Sequence, residues 1–279
     1  MTEVTASPAR RYILDGGDED LRRLLRFAEV TSEPARRAFG RAGIAAGWAA
    51  IDCGCGPIGG LPVLAEMVGN TGRVVGVDVS ELAIERARSA AATLGLDNVE
   101  LVAGDIHDLD LAVLGAPFDL AYTRLFLMHQ ADPAETLSAI ARLVRPGGWI
   151  VVQEPLADPP PRSHPPLDAL GTYWGLLHEV LQQVGVPAGT VEGLPRSARA
   201  AGLEVAAADG FFILGEPELA FEIHASTLEA FKEPVVMSGI PAETIDALIE
   251  ALRAGKAGGY EWASTPFFLD LALRKTPAT

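Results

Sequence analysis

The sequence predicts an α/β fold in which a mostly parallel sheet carries helices on both faces. Short apolar runs alternate with helix-like stretches between about residues 48 and 153. Each run is predominantly apolar rather than alternating, which is typical of strands that are buried on both sides of a parallel sheet. A glycine-rich turn, residues 54–60, joins the first run to a helix. In sheets of this kind ligands bind beyond the carboxyl ends of the strands, so a site is expected there.

A helical cap is predicted before the sheet, over residues 1–45. Within residues 10–44 a single apolar stripe with helical spacing is formed by Leu21, Leu24, Leu25 and Ala28. A second helix is expected to begin at Ser32, just before Pro34.

The core of the fold is predicted over residues 46–155. Its five strands are expected at Trp48–Cys53, Arg73–Val79, Val99–Ala103, Phe118–Tyr122 and Trp149–Gln153. The first helix between them is expected at Gly59–Val68. Ser80 is the predicted N-cap of the second, and Asp132 followed by Pro133 is the predicted start of another.

Residues 156–279 are predicted to complete the sheet and to supply a helical lid within a single overall domain. A proline-dense connector, Pro155–Pro166, leads into an amphipathic helix over Leu167–Val184. Two late strands are expected at Val205–Leu214 and Ser264–Leu273, with helices around Leu219–Phe231 and Ile245–Leu252. The lid is assigned to inserts at about 156–200 and 216–259.

Composition and charge argue against several classes of protein. A formal net charge of −15 lacks the basic character of a nucleic-acid-binding surface. Cys53 and Cys55 are too few for a zinc site and too close together for a disulfide framework. The sequence has no apolar run of about eighteen residues and no signal-peptide pattern. We therefore expect a cytoplasmic monomer or homodimer without metal, membrane or nucleic-acid partners.

Three aspartates lie at or just beyond the ends of three of the expected strands, namely Asp52, Asp78 and Asp105. The glycine turn and the helix after it would offer backbone N–H groups to an anionic ligand. The turn also matches G-x-G-x-x-G, with Asp78 where a ribose-binding acid is expected, so a nicotinamide oxidoreductase is one interpretation. Asp52 argues against it, because a carboxylate beside the turn suits a ligand that carries an ammonium group.

Taken in order, the motifs resemble those of class I S-adenosylmethionine-dependent methyltransferases, most closely the small-molecule branch. The matching motifs are Asp52-x-Gly54-x-Gly56, Val77-Asp78, Gly104-Asp105, Phe118-Asp119-Leu120, Met128-His129-x-x-Asp132-Pro133 and Leu143-Val144-Arg145-Pro146-Gly147-Gly148. The resemblance covers about residues 10–155. It implies a Rossmann-like, seven-stranded sheet whose last strand is antiparallel. It also implies methyl transfer to O, N or C of a small, secondary-metabolite acceptor, with S-adenosylhomocysteine as the product.

The resemblance further implies a cofactor site. Asp52 and the Gly54 backbone would hold the methionine ammonium group, Asp78 would accept from both ribose hydroxyls, and Asp105 would accept from the adenine amino group. Further cofactor contacts are assigned to Cys55, Gly56, Val79, Ile106, Arg124 and Tyr12. Two alternatives stay open: Asp78 as a plain helix-capping acid, and Arg124 as a member of a surface ion pair.

Catalytic and acceptor-binding residues are expected beyond the fourth and fifth strands and on the lid. His129 is the first candidate for a general base, which is needed only if the acceptor must lose a proton, and Glu154 is the second. A structural role for His129 is the alternative. Tyr173, Trp174 and His178 share the lid helix and are expected to contact the acceptor, against the alternative that they only pack in the core.

Two further readings of function stay open besides the methyltransferase. One is the nicotinamide enzyme, and the other is a protein that binds S-adenosylmethionine without transferring its methyl group. Methylases of exocyclic amines in nucleic acids carry an Asn/Asp-Pro-Pro-Tyr/Phe motif after the fourth strand, whereas residues 121–124 read Ala-Tyr-Thr-Arg. This difference favours a small molecule as the acceptor.

Overall fold

The computed structural model describes residues 18–183, 185–186 and 189–276 and contains a seven-stranded sheet with a small sheet beside it. In chain order the strands are β1 (Ala49–Cys53), β2 (Arg73–Asp78), β3 (Val99–Ala103), β4 (Phe118–Arg124), β5 (Val144–Pro155), β6 (Ser163–His164), β7 (Leu203–Phe211), β8 (Leu214–Gly215), β9 (Trp262–Ser264) and β10 (Phe268–Lys275). The small sheet has the order β6-β9-β8.

The large sheet has the order β3-β2-β1-β4-β5-β10-β7. The pairs β2–β3, β1–β2, β1–β4 and β4–β5 are parallel. Strand β10 is antiparallel to both of its neighbours, so Phe268 pairs with Pro155 on one side and with Phe211 on the other. The predicted fold, a mostly parallel seven-stranded sheet whose last strand is antiparallel, is confirmed.

Helices cover both faces of this sheet. In chain order they are α1 (Asp18–Val30), α2 (Ser32–Arg41), α3 (Leu61–Val68), α4 (Glu81–Leu94), α5 (Pro133–Leu143), α6 (Asp168–Gln183), α7 (Leu194–Ala200), α8 (Pro217–Ala230), α9 (Lys232–Met237) and α10 (Ala242–Ala254). Two 3₁₀ helices lie at Leu127–His129 and Gly255–Ala257. Apolar side chains of α2, α3 and α4 pack on one face, and those of α5 and α7 pack on the other.

Local sequence signals explain where several helices begin. The Ser80 hydroxyl accepts a hydrogen bond of 3.2 Å from the Ala83 N–H, which makes Ser80 the N-cap of α4. The Asp132 carboxylate accepts 3.0 Å bonds from the N–H groups of Ala134 and Glu135 at the start of α5. Pro133 occupies the first turn, where its missing N–H leaves no donor unpaired.

The lid has an apolar core of its own, built mainly from α6, α8 and α10. A buried hydrogen-bonded chain joins its parts: the Tyr173 hydroxyl lies 2.6 Å from His224 Nδ1, and His224 Nε2 lies 2.8 Å from the Ser264 carbonyl oxygen. Because a carbonyl only accepts, Nε2 carries the proton and Tyr173 donates to Nδ1. Burial lowers the pKa of His224 to about 4, so the imidazole is neutral near pH 7.

The structure differs from the sequence-based expectations at several elements. The small sheet and helices α7 and α9 were not predicted, because segments of two to seven residues are too short to show a period. Strand β5 begins at Val144 and runs through the glycine pair that was expected to form a turn before it. Strand β10 begins at Phe268, four residues later than expected. The first part of the predicted cap, including Tyr12, lies outside the described residues.

Candidate cofactor and acceptor site

The three strand-end aspartates lie at the same edge of the sheet. Strands β1, β2 and β3 are parallel neighbours, with Asp52 opposite Gly76 and Asp78 opposite Ala103. The order of the sheet reverses at β1, which lies between β2 and β4. Such a reversal opens a crevice beyond the strand ends, where ligands bind in open α/β sheets.

Asp52 contributes a buried carboxylate to this crevice. Its side chain is 1% exposed, and Oδ2 accepts a 2.6 Å hydrogen bond from the N–H of Gly60, which precedes α3. Burial raises the pKa of Asp52 to about 7, although the Gly60 N–H and the charge of Arg124 lower it. The charge of Asp78 raises it further, so the two carboxylates lie close enough to interact. A cationic ligand group placed here would stabilise the ionised form.

Two glycines of the turn are needed because other side chains occupy the space of a Cβ atom. At Gly54, where φ is +74°, a Cβ atom would lie 2.5 Å from the Phe126 ring. At Gly59, where φ is +48°, it would lie 2.5 Å from Asp52 Oδ2 and 2.6 Å from the Cys55 carbonyl oxygen. The turn is therefore shaped both by its left-handed backbone and by direct packing on Asp52 and Phe126.

Substitution of Gly59 with alanine is expected to destabilise the protein more than the same substitution at Gly56. Both glycines have positive φ, but a Cβ atom at Gly56 would meet nothing within 4 Å. The collision with Asp52 should lower the free energy of unfolding of Gly59→Ala by about 1–3 kcal/mol beyond the loss in Gly56→Ala. Urea unfolding of both variants measures this difference, and equal losses would contradict the packing role of Gly59.

Asp78 orders the turn from the second strand. Its Oδ2 accepts from the Gly56 N–H and its Oδ1 from the Ser80 N–H, both at 2.9 Å. Burial raises the pKa of Asp78. The bond to Ser80 lies just before α4, whose N-cap is Ser80 itself, and the assigned contact of Asp78 with a ribose stays a prediction.

An apolar surface follows Asp78. Val79 is 54% exposed and Leu82 is 43% exposed, although both are aliphatic. Ile106, across the crevice after β3, is buried, and Asp105 Oδ1 accepts a 2.9 Å bond from the His107 N–H. Exposed aliphatic side chains beside a strand-end acid suit a flat, apolar ligand group such as the adenine that was assigned to Val79 and Ile106.

Arg124 connects the helical cap with the glycine turn through hydrogen bonds. Its guanidinium donates to the Thr31 hydroxyl, between α1 and α2, and to the Gly59 carbonyl oxygen at 3.2 Å. It also lies 5.9 Å from the centroid of the Tyr122 ring. The half-buried guanidinium is thus a bridge within the site, an arrangement that differs from the surface ion pair considered as its alternative.

Glu154 holds the turn that follows β4. Its Oε1 accepts from the N–H groups of Phe126 at 2.9 Å and Leu127 at 2.8 Å, and Oε2 lies 3.4 Å from the Met128 nitrogen. Leu125 has a left-handed backbone, with φ of 53°, which turns these N–H groups towards one point. Burial raises the pKa of Glu154 to about 7, although the hydrogen bonds from the three backbone N–H groups lower it. The contacts give this carboxylate a structural task, and its use as a base stays a prediction.

The other assigned residues that the structure describes fall into three places. His129 is half-buried at the end of the 3₁₀ helix after β4, on the turn that Glu154 holds. Tyr173 and Trp174 are buried in the lid core, where Trp174 Nε1 donates to the Ala157 carbonyl oxygen at 2.9 Å. Cys55 is buried in the glycine turn, and burial raises the pKa of its thiol; its assigned cofactor contact stays a prediction.

Sequence reasoning missed Phe126, Tyr122 and Thr31. Phe126 fills the space above Gly54, the Tyr122 ring would lie 2.5 Å from a Cβ atom at Gly60, and Thr31 binds Arg124. For Phe126 the sequence did offer a signal, because it is a large side chain that comes just after a strand and faces the glycine turn. Thr31 had none, because its contact depends on where α1 lies on the sheet.

No cluster of three or more His, Cys, Asp and Glu side chains in the described part of the chain is arranged to hold a metal ion. No helix built from those residues has the length and apolar character to cross a membrane.

The chain matches a family of known proteins over residues 44–182, the methyltransferase domain family. It is 41% identical over 127 residues to an uncharacterized 37.1 kDa protein in transposon TN4556 of Streptomyces fradiae, covering 46% of this chain and 36% of that protein. It is 38% identical over 107 residues to the ubiquinone biosynthesis O-methyltransferase of Thiobacillus denitrificans, covering 38% and 43%. The chain therefore spans less than half the length of these relatives.

The fold also matches solved structures of low sequence identity. The structure of the [4+2]-cyclase SpnF aligns with a TM-score of 0.55 and 19% identity, covering 88% of this chain and 82% of that chain. At this identity the likeness supports the fold alone.

Proposed function

Because this chain belongs to the class I S-adenosylmethionine-dependent methyltransferases, we propose that it transfers a methyl group to an oxygen, nitrogen or carbon atom of a small molecule. The product from the cofactor is S-adenosylhomocysteine. The observation that carries the proposal is the buried Asp52 carboxylate at the glycine turn, in electrostatic contact with Asp78 and Arg124.

The residues present fit this cofactor. Asp52 is a buried acid that a cationic group would stabilise, and the α-ammonium of the methionine part is such a group. The left-handed turn at Gly54 and Gly59 brings bare backbone to the same place. Asp78 would accept from the ribose hydroxyls, a charge-assisted contact that an amide would make less strongly.

The remaining cofactor contacts are proposed by position in the crevice. Val79 and Ile106 would lie on either side of the adenine, and Asp105 would accept from its amino group. Arg124 would approach the methionine end. Further proposed contacts are the backbone of Gly54, Cys55 and Gly56, and the side chain of Tyr12.

The chain contributes to the reaction mainly by positioning. When bound, S-adenosylmethionine supplies an electrophilic methyl group on a sulfonium. Holding the acceptor in line with that group can supply about 7–11 kcal/mol of the barrier reduction in well-oriented systems. His129, on the turn held by Glu154, would take the proton of an acceptor that must lose one, and Glu154 is the second candidate.

Other features support a small acceptor in the cytoplasm. The net charge of −15 disfavours a nucleic-acid partner, and the two cysteines are free, buried thiols, as in reducing compartments. The ubiquinone relative acts as an O-methyltransferase in its own pathway, which supports oxygen as one acceptor atom here. A monomer or a homodimer would serve this function, and Tyr173, Trp174 and His178 are proposed as acceptor contacts from the lid.

A protein that binds the cofactor without transferring its methyl group is the second candidate. A turnover experiment separates it from the proposed methyl transfer. The nicotinamide alternative is set aside by the family to which the chain belongs.

The proposal is tested by binding and by turnover. The purified protein is expected to bind S-adenosylhomocysteine by calorimetry and to show no heat with NADH. A screen of acceptors with S-adenosylmethionine should then release S-adenosylhomocysteine with at least one of them. Binding without release from any acceptor would favour the non-methylating candidate, and no binding would refute both.

With an acceptor found, His129→Ala is expected to lower turnover by roughly 100-fold or more while leaving cofactor affinity unchanged. His164→Ala, at an exposed histidine on β6, is the matched control and should keep full turnover. Unaltered turnover of His129→Ala would make His129 a structural residue.

A further inference from the structure

A cleft lies between α6, the turn after β4 and the connector after β5. It leaves about 80 Å³ for the centre of a water-sized molecule and is open to solvent at its mouth. Its walls are mostly apolar and include Met128, Ala157, His178, Leu181, Val186 and Val191. A concave, apolar surface with few polar groups is the usual form of a site for a small organic molecule.

The cleft reaches the turn that carries the proposed base. Met128, one of its lining residues, directly precedes His129 on the turn whose backbone is held by Glu154. Ala157, on the opposite wall, follows β5 and is fixed on both sides, since its carbonyl accepts from Trp174 and its N–H donates to Glu192 Oε1 at 3.1 Å. A molecule in the cleft would therefore lie against rigid walls at the carboxyl end of the sheet.

His178 is a polar group of this cleft, and a hydrogen bond fixes the orientation of its ring. Its Nδ1 lies 2.9 Å from the Trp174 carbonyl oxygen, which can only accept, so Nδ1 carries a proton. The Trp174 ring packs edge-on against the imidazole, with the ring centroids 4.6 Å apart. In the neutral form Nε2 is then an acceptor, and it has no hydrogen bond to any residue within the described ranges.

Building on the proposed function, we propose that this cleft binds the methyl acceptor, and that the acceptor is a neutral, largely apolar molecule whose hydroxyl donates to His178 Nε2. The apolar walls match the body of such a molecule. An anionic acceptor is disfavoured, because Glu192 lines the cleft and the chain as a whole is strongly acidic.

The methionine methyl groups give a direct readout of the cleft. The chain has four methionines, of which Met128 lines the cleft while Met67 and Met237 lie on α3 and α9. The full chain is labelled with ¹³C-methyl methionine and saturated with S-adenosylhomocysteine. It is then titrated with p-cresol, toluene and p-toluate, and Met128→Leu identifies the signal. We expect p-cresol to shift the Met128 signal alone, with an affinity about fivefold above that of toluene, and p-toluate to leave it unmoved.

Substitutions of His178 test whether this residue causes the tighter binding of p-cresol than of toluene. His178→Phe is expected to bind p-cresol and toluene equally, whereas His178→Gln, which keeps an acceptor, should retain the preference. His164→Phe is the matched control and should behave as the natural chain. Three results would overturn the inference. The Met128 signal does not shift with p-cresol, His178→Phe still binds p-cresol more tightly than toluene, or p-toluate binds as tightly as p-cresol.

Calorimetry with S-adenosylhomocysteine on the same samples distinguishes a failure of the proposed cleft from a failure of the proposed function. Cofactor binding without any shift at Met128 refutes the cleft and leaves the proposed function in place. Cofactor-free protein that binds p-cresol at Met128 but never binds S-adenosylhomocysteine refutes the proposed function.

Discussion

Replacing Asp78 with alanine should lower the affinity for S-adenosylhomocysteine by about 100-fold. Both carboxylate oxygens would lose their contact with the ribose, and hydrogen bonds to a charged group contribute about 1.5–3 kcal/mol each. A loss of about 3 kcal/mol corresponds to roughly a 100-fold change in the dissociation constant. Isothermal titration calorimetry at neutral pH measures it.

The structure requires a control for this variant, because Asp78 also accepts from the backbone of Gly56 and Ser80. Asp78→Asn keeps one acceptor oxygen of the same shape, so it should retain part of the loop order and weaken binding by roughly tenfold. Thermal unfolding without ligand reports the loss of the backbone contacts separately. If Asp78 only caps the turn and α4, both variants will unfold earlier and still bind the cofactor with unchanged affinity.

The affinity for S-adenosylhomocysteine is expected to rise with pH up to about 7. The pKa of Asp52 is raised to about 7 by burial, so below that pH the free protein holds a proton on Asp52. The ligand's ammonium pairs with the carboxylate form, so binding releases this proton. Affinity should therefore increase by about tenfold per pH unit between pH 5 and 7 and level off above. Calorimetry over this range, in two buffers of different ionisation enthalpy, gives both the slope and the number of protons released.

Asp52→Asn is the matched variant for this experiment. Its amide has the same shape and an oxygen that can accept from Gly60, but it does not ionise between pH 5 and 7. We expect weak binding with a flattened pH profile and without proton release from this position. An unchanged slope in Asp52→Asn would assign the linkage to another group, of which Asp78, with its raised pKa, is the first candidate.

The order of elements in the core was readable from the sequence because each signal there is local. Apolar runs gave the strands, Ser80 and Asp132 gave helix starts, and the structure has the corresponding caps. The antiparallel direction of the last strand could not be predicted from a local sequence pattern. It came from the family resemblance, since nothing in residues 268–275 alone states on which side or in which direction they pair.

The site was readable only in part, for the same physical reason. Glycines and strand-end acids locate the crevice, because their backbone requirements belong to their own segment. The partners of those groups are distant in sequence, such as Phe126 above Gly54 and Thr31 at Arg124. Glu154 was chosen for its position at the end of a strand, and its three backbone contacts depend on the left-handed turn at Leu125, which no pattern indicated.

The antiparallel strand has a consequence for how the protein is made. Strand β10 lies between β5 and β7 in space but follows both along the chain, and helices α8, α9 and α10 are synthesised between β7 and β10. On the ribosome β7 therefore emerges long before its neighbour and waits as an unpaired strand. Long-range pairing of this kind is slow and leaves apolar edges exposed in the nascent chain. Completion of the sheet is thus a late event, which waits until β10 has been synthesised, and it is the step at which chaperones would have most to protect.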